Sequence, residues 1–303
     1  MTTSAPVVLT AEQVEQLLDL GELIAAMEEA LIELSAGKVI QPVRAIVPIP
    51  QHTGWLGLMP AVYQDMIGTK LVTVFPGNAA RGLHTHNATI QLFQADTGVP
   101  VAMLDGRVIT AWRTAAVSAL ATRELSSPDA RVLAILGSGV QARTHYKALH
   151  MVRHFNEVRV WSRSQEHASQ FAAEVGAVAM PLEQAVRGAD VVTTVTNYME
   201  PFLEGAWLKE GAHVNAVGAV GTSSRELHDS VFKGATVAVE SREAALRESG
   251  EIIHSNSQIY AELGELLAGT KTKPPAGNTV YKGLGVAVED VAAARLIYRK
   301  TLL

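Results

Sequence analysis

Cysteine is absent from the 303-residue chain. Without thiols there is no disulfide framework and no thiolate chemistry. Blocks of like charge are also missing, and a net charge of −5 gives no electrostatic footprint for nucleic acid. No apolar run approaches the roughly 20 residues of a membrane span. The opening residues Met1-Thr-Thr-Ser-Ala-Pro-Val7 lack a basic stretch leading into an apolar one, so no secretory signal is evident. A soluble cytoplasmic protein is the expectation. What is plentiful is hydrophobic residues, 48% of the chain, enough for the cores of two domains of ordinary size.

The pattern of those residues changes along the chain. Thr10 to Gln13 has the capping-box form Thr-x-x-Gln, followed by Val14, Leu17, Leu18, Ile24, Met27, Leu31 and Leu34 at helical spacing. The spacing predicts two helices meeting near Gly21, with Gly37 as a C-cap. Residues 42–104 carry short β-type runs at 43–47, 54–59, 67–74, 87–93 and 100–104, which suggest a largely antiparallel or mixed sheet. Residues 110–125 are Ala-rich and helical. From Arg131 onward β-type runs alternate with helical ones: 132–136, 158–161, 177–180, 191–196, 213–217 and 236–239 are the six strand candidates. This is the pattern of a doubly wound parallel sheet. A last helix over 288–303 is expected to return to the first domain. The fold class is therefore α/β: a Rossmann-type parallel sheet domain over 121–285, and a second, α+β domain made of 1–120 and 286–303.

One segment carries most of the functional information. The strand Val132–Leu136 runs into Gly137-Ser-Gly139-Val140-Gln141-Ala142 and then into helix. Gly137 permits a tight turn, Gly139 lets backbone amides approach a pyrophosphate, and Ala142 lets the helix sit close to the strand. The second strand of the unit ends in Ser162-Arg163-Ser164, with no carboxylate to hold a ribose 2′-hydroxyl. An arginine between two hydroxyls suits a 2′-phosphate instead. The residues thus point to NADP(H) in preference to NAD(H), which stays possible.

Arg44 and Lys70 stand in otherwise apolar β-type runs, and Arg113 lies in the helical stretch that leads to the nucleotide fold. Buried cations are costly unless paired. Either each has a carboxylate partner in the protein or they share an anionic ligand, and the residues alone leave both readings open. His84 and His86 could chelate a metal from one strand face, but no ligand cluster supports this, so no metal is expected. Glu240, Glu243, Glu248 and Glu251 read as a solvated helix face or caps. The chain has no Gly-x-Ser-x-Gly elbow and no Walker lysine.

Several segments together resemble the ornithine cyclodeaminase/mu-crystallin family over nearly the whole chain: Gly68-Thr-Lys-Leu-Val-Thr-Val-Phe-Pro-Gly-Asn78, Leu104-Asp-Gly-Arg-Val-Ile-Thr-Ala-Trp-Arg-Thr-Ala-Ala-Val-Ser-Ala119, Leu136–Ala142 and Val214-Asn-Ala-Val-Gly-Ala219. Tyr260–Glu265 and Gly283–Asp290 look like its mu-crystallin branch. The resemblance implies a homodimer whose substrate-binding and dimerisation domain is the one formed by both chain ends, 1–120 and 286–303, and in which Arg44, Lys70 and Arg113 surround a carboxylate substrate, with Thr85 lining the same pocket. It implies that Gly139, Val140 and Gln141 cradle the pyrophosphate and that Ser162, Arg163 and Ser164 meet the 2′-phosphate. Arg113 and Thr114 are expected against the cofactor as well, and Thr196, Val217 and Leu284 near the nicotinamide. One position departs from the cyclodeaminases and the archaeal-type alanine dehydrogenases of the family: where they carry an Asp, this chain has Val220, which can neither act as a base nor hold an amine. The expectation is a reductase of ready-made cyclic ketimine carboxylates, with Lys70 as the catalytic residue. The alternatives are an ornithine cyclodeaminase or amino-acid dehydrogenase, and a non-enzymatic binder of NADPH and a small molecule.

Overall fold

A short strand, β1 (Val7–Leu9), opens the described part of the chain, which is residues 5–303 of a computed structural model. The capping box forms. The Thr10 hydroxyl accepts from the Gln13 amide at 3.4 Å, and the Gln13 side chain accepts from the Thr10 amide at 3.0 Å, starting α1 (Ala11–Leu17). The two helices meet close to Gly21 as expected, the break before α2 (Leu20–Ser35) falling at Leu18 and Asp19. The Asp19 carboxylate accepts from the Glu22 amide at 2.9 Å and so supplies the N-cap. Gly37 closes α2 at φ +72°, a left-handed conformation that glycine adopts without a Cβ penalty.

The five β-type runs become β2 (Ala45–Ile49), β3 (Gly54–Tyr63), β4 (Met66–Val74), β5 (His86–Gln94) and β6 (Pro100–Asp105). They pair antiparallel in chain order, and β1 adds parallel to β6, giving the order β1-β6-β5-β4-β3-β2. On β4 the residues Met66, Gly68, Lys70, Val72 and Val74 are buried and those between them are more exposed, the period of two of a sheet with one covered face. α3 (Gly106–Leu125) starts four residues before the predicted 110.

The alternating region gives β7 (Val132–Leu136), α4 (Val140–His150), β8 (Glu157–Trp161), α5 (Gln165–Val175), β9 (Val178–Ala179), α6 (Leu182–Val186), β10 (Val191–Thr194), β11 (His213–Ala216), α7 (Asp229–Phe232), β12 (Thr236–Val239), α8 (Arg242–Glu248), α9 (Gly250–Ser255), β13 (Ile259–Glu262), α10 (Leu263–Leu267) and β14 (Thr279–Lys282). The sheet has eight parallel strands, two more than the six read from the sequence, in the order β13-β12-β14-β11-β10-β7-β8-β9. β14 is last in the chain yet is inserted between β11 and β12. Leu133, Ile135, Leu149, Val160 and Phe171 are buried in the core beside β7, where near-continuous apolar strands are expected of a sheet covered on both faces.

The last helix, α11 (Ala287–Lys300), belongs with the first sheet. The chain divides into two units: residues up to Arg113 with Val286–Leu303, and Thr114–Gly285. The first boundary thus lies within α3 at 113/114 rather than at 120/121.

Candidate active site

Gly137 leaves β7 at φ +138°, and a Cβ there would lie 2.7 Å from the Val195 carbonyl oxygen; only glycine fits both the dihedral and the approach. Gly139 is the N-cap of α4 and has no side-chain cap. A Cβ built on it meets nothing within 4 Å, so its face opens onto free space in front of the helix amides. Ala142 is fully buried in the core beside β7, as close packing of helix on strand requires. Strands fan out from β7 to β8 and β9 on one side and through β10 to β11 on the other, so the turn lies at the switch point of the sheet, where open α/β folds bind ligands. The Gln141 Oε1 atom is buried without a hydrogen-bond partner among the described residues, an acceptor suited to a ribose hydroxyl. Free helix amides, a glycine cradle and an orphaned acceptor fit a dinucleotide.

One residue of this turn was not singled out from the sequence. Arg143 donates to the Ser138 carbonyl at 2.7 Å and the Gly139 carbonyl at 3.3 Å, is paired with Glu174 at 2.6 Å and lies over the Phe171 ring. It clamps the carbonyls of the turn and so leaves the amides pointing outward. At the end of β8 the three predicted residues sit together but are differently employed. The Ser162 hydroxyl accepts from Ser138 at 2.9 Å. Ser164 caps α5 through the His167 amide at 3.2 Å. Arg163 is exposed, hydrogen-bonded to Asn197 and held 5.0 Å over the Tyr198 ring.

In the first unit two of the cations are paired with carboxylates of the chain. Lys70, 2% exposed, lies with its Nζ 2.7 Å from Asp290 Oδ2 and 3.4 Å from the Thr110 hydroxyl. Arg113 donates from Nε to Asp290 Oδ1 at 3.0 Å and from Nη1 to Glu289 at 2.8 Å. The backbone explains the meeting. A Cβ on Gly68 would lie 2.6 Å from Val291, so glycine lets the first turn of α11 press onto β4. Val288 is fixed there by the Gln41 side chain at 2.9 Å. Carboxylates in a first turn also suit the positive end of the helix.

Burial pushes the Lys70 ammonium down to about 8, Asp290 opposes this, and Arg113 and Arg44 add to the depression. Burial raises the Asp290 carboxyl, but Arg113 and Lys70 outweigh it and hold it below its ordinary range. Desolvation, rather than the neighbouring arginines alone, is thus the main cause of the lowered lysine. Arg44 is half-buried just before β2, Thr85 is half-buried just before β5, and the Thr85 hydroxyl contacts His86 Nδ1 at 3.1 Å. Among the described residues no group of three or more potential ligands could hold a metal ion.

In the second unit Thr194 ends β10 and Ala216 ends β11, and Thr196, Val217 and Leu284 follow β10, β11 and β14 respectively. Val217 and Leu284 are buried. Val220 is 39% exposed, an apolar side chain beyond the end of β11. Two of the acids read as solvated are not: Glu240 and Glu251 are buried. They lie just after β12 and within α9, positions whose burial a helical pattern of acids does not reveal. Glu226 and Lys282, also buried, were not anticipated at all.

The fold and turn define a doubly wound α/β protein with a dinucleotide-type glycine turn at its switch point, carried by a chain whose other unit buries a lysine and an arginine against carboxylates. The chain belongs to the ornithine cyclodeaminase/mu-crystallin family, whose model matches residues 4–302. It is 46% identical over 303 residues to the ketimine reductase mu-crystallin of Mus musculus, covering 97% of each chain. Its fold matches Thermococcus litoralis Δ1-pyrroline-2-carboxylate reductase in complex with NADH and L-proline at a TM-score of 0.93, with 33% identity over 98% of this chain and 97% of the other. It also matches an archaeal alanine dehydrogenase dimer with bound NAD at a TM-score of 0.92, with 31% identity over 98% and 96%.

Proposed function

We propose that this protein is an NAD(P)H-dependent ketimine reductase that converts Δ1-pyrroline-2-carboxylate to L-proline and Δ1-piperideine-2-carboxylate to L-pipecolate. The observation that carries this reading is the buried Lys70–Asp290–Arg113 arrangement, with Arg44 acting electrostatically on the same lysine, in a chain with a dinucleotide turn and a valine at position 220. The identities to a ketimine reductase and a pyrroline-2-carboxylate reductase support it.

Arg44 and Arg113 anchor the substrate carboxylate through charge-assisted pairs, and Thr85 lines the same pocket. Lys70 is the catalytic residue: with its pKa near 8 it gives up and regains a proton close to neutrality and supplies one to the imine nitrogen. Asp290 holds Lys70 and Arg113 in place. The amides of Gly139, Val140 and Gln141 bind the pyrophosphate, and Ser162, Arg163 and Ser164 address the 2′-phosphate, which makes NADPH the preferred cofactor over NADH. Arg113 and Thr114 also face the cofactor, and Thr196, Val217 and Leu284 wall its nicotinamide end. When bound, a reduced nicotinamide would supply a hydride, a proton with two electrons, to the imine carbon, whose C=N π pair moves to nitrogen as that atom takes the proton from Lys70. Val220 offers no group to manage a free amine, which disfavours deamination of ornithine.

The working unit is a homodimer. The uncovered face of the first sheet carries Val47, Leu56, Leu58, Leu71 and Met103, all at least partly exposed, an apolar surface suited to a second copy. The dimeric alanine dehydrogenase neighbour agrees with this.

The decisive experiment presents cyclic imines and free amino acids in turn with NADPH and NADH, recording nucleotide absorbance and ammonia together. Stoichiometric NADPH loss with the imines and no ammonia is expected. Ammonia release from ornithine without net nucleotide loss would replace this reading with a cyclodeaminase. Nucleotide binding without turnover of any substrate would replace it with a binding protein.

A further inference from the structure

Among the described residues the second unit buries four charged side chains: Glu226, Glu240, Glu251 and Lys282. Three are acids and one is a base. They gather at the carboxyl ends of the central strands. Lys282 ends β14 in register with Ala216 of β11 and Val239 of β12, and Ala216 is in register with Thr194 of β10. Glu240 comes directly after Val239.

Each charge has defined partners. The Lys282 ammonium donates to the Ala219 carbonyl at 2.6 Å and the Ala216 carbonyl at 3.3 Å and lies 3.1 Å from Glu251 Oε2. Glu251 Oε1 accepts from the Glu226 amide at 2.9 Å. The Glu226 carboxylate accepts four hydrogen bonds: from the Thr196 amide at 2.8 Å, and at 2.7 Å from the Thr196 hydroxyl, the Thr194 hydroxyl and the Gly218 amide. The Thr196 hydroxyl itself accepts from the Tyr198 amide at 3.1 Å, so its proton goes to Glu226. Burial and the neighbouring Glu251 push the Glu226 carboxyl up, against the Thr196 and Thr194 hydroxyls and Lys282, which favour its charged form. Glu240 accepts from the Tyr281 hydroxyl at 2.7 Å, the Leu284 amide at 2.9 Å and the Gly285 amide at 3.0 Å.

Two carboxylates therefore hold the segments carrying Thr196, Gly218 and Leu284, and the buried set as a whole is more negative than positive. We propose that Glu226 and Glu240 are positioning residues that fix the loops around the nicotinamide and turn acidic groups towards it, favouring the oxidised, cationic ring over the reduced, neutral one. This rests on the cofactor reading given above. The consequence for the reaction follows from charge. As a C–H bond of the reduced ring breaks with its electron pair and that pair forms the new C–H bond at the imine carbon, the ring gains positive charge. A prearranged negative field stabilises that change without reorganisation.

The test is binding rather than turnover. Dissociation constants for NADP+, NADPH and adenosine 2′,5′-bisphosphate are measured by calorimetry on the full chain and on Glu226→Gln and Glu240→Gln. Removing one charge should weaken NADP+ relative to NADPH by about two-fold or more, the direction set by loss of a unit negative charge near a cationic ring. The bisphosphate, which lacks the nicotinamide, should bind each variant as it binds the parent. If Glu226→Gln does not fold because its amide faces the Gly218 or Thr196 donor, Glu240→Gln carries the same expectation. An unchanged NADP+/NADPH ratio in the variants that fold overturns the proposal while leaving the cofactor reading intact. A parent protein that binds neither nucleotide overturns that reading instead.

Discussion

Replacing Asp290 with asparagine keeps the shape of the side chain and removes its charge. In the native protein the two oxygens divide their work, Oδ2 facing Lys70 at 2.7 Å and Oδ1 facing Arg113 at 3.0 Å, with all three side chains buried. Glu289 still holds Arg113 at 2.8 Å, so the loss falls mainly on Lys70. Removing one member of a buried pair costs about 3–5 kcal/mol. Lys70 can escape part of this cost by shedding its proton, because burial already brings it down to about 8 and Asp290 is the main influence holding it up. Its folded pKa is thus below the unfolded value in both proteins, and lower still in the variant. Between about 8 and the variant's lower value, the variant's native state binds fewer protons than the parent's. Its relative stability therefore falls as pH falls, by at most about 1.4 kcal/mol per pH unit. Above about 8 both native states hold a neutral lysine and the gap is smallest and flat. Urea unfolding of both proteins, followed by tryptophan fluorescence between about pH 6 and pH 9, reads this directly. A gap that is constant over that range, or wider at the alkaline end, would refute the pairing of Lys70 with Asp290.

Three further outcomes are expected. Arg44→Ala should lose roughly 2–5 kcal/mol of kcat/KM toward the cyclic imines, the scale for truncating one side of a buried charge pair; near-parental kcat/KM would contradict the anchoring role. Arg163→Asp should raise the KM for NADPH and turn the preference toward NADH, since a carboxylate there repels a 2′-phosphate and can accept from a 2′-hydroxyl; an unmoved KM for NADPH would show that cofactor choice is set elsewhere. Gly218→Ala should be strongly destabilising. Its Cβ would stand 2.2 Å from the Thr196 carbonyl oxygen and 2.4 Å from Glu226 Oε1, and overpacking typically costs 1–3 kcal/mol, occasionally more. Differential scanning calorimetry should show a Tm lowered by several degrees, and an unchanged Tm would mean the loop yields freely.

Local signals were legible where a short stretch carries its own physics. Periodicity and the two glycines located β7, the turn and α4, since strand, turn and helix each constrain neighbouring residues. The capping box at Thr10 is complete within four residues, and the junction of the two helices lies near Gly21, at the Asp19 cap two residues before it. β1 and β13 are three and four residues long, and β14 is a four-residue strand ending in lysine, patterns too short or too polar to stand out. The partners of Arg113 were illegible for a different reason: they lie 176 and 177 residues away, and spacing along a chain carries no information about such a meeting. Glu240 and Glu251 show the same limit, since their burial depends on strands that approach from elsewhere in the sequence.

The place of β14 has a consequence for how the chain comes off the ribosome. β12 and β13 join the rest of their sheet only through β14, so the sheet exists as two separate fragments until residues 279–282 have been made. The first sheet waits even longer, because α11, which covers it and brings the counterion of Lys70, begins only at Ala287. Neither half can be completed in the order of synthesis. Such late, distant pairings slow folding and leave apolar strands open to association in the meantime. A stop or frameshift shortly before Thr279 would therefore not trim a peripheral element; it would leave both cores unfinished and deliver the product to the quality-control machinery of the cell.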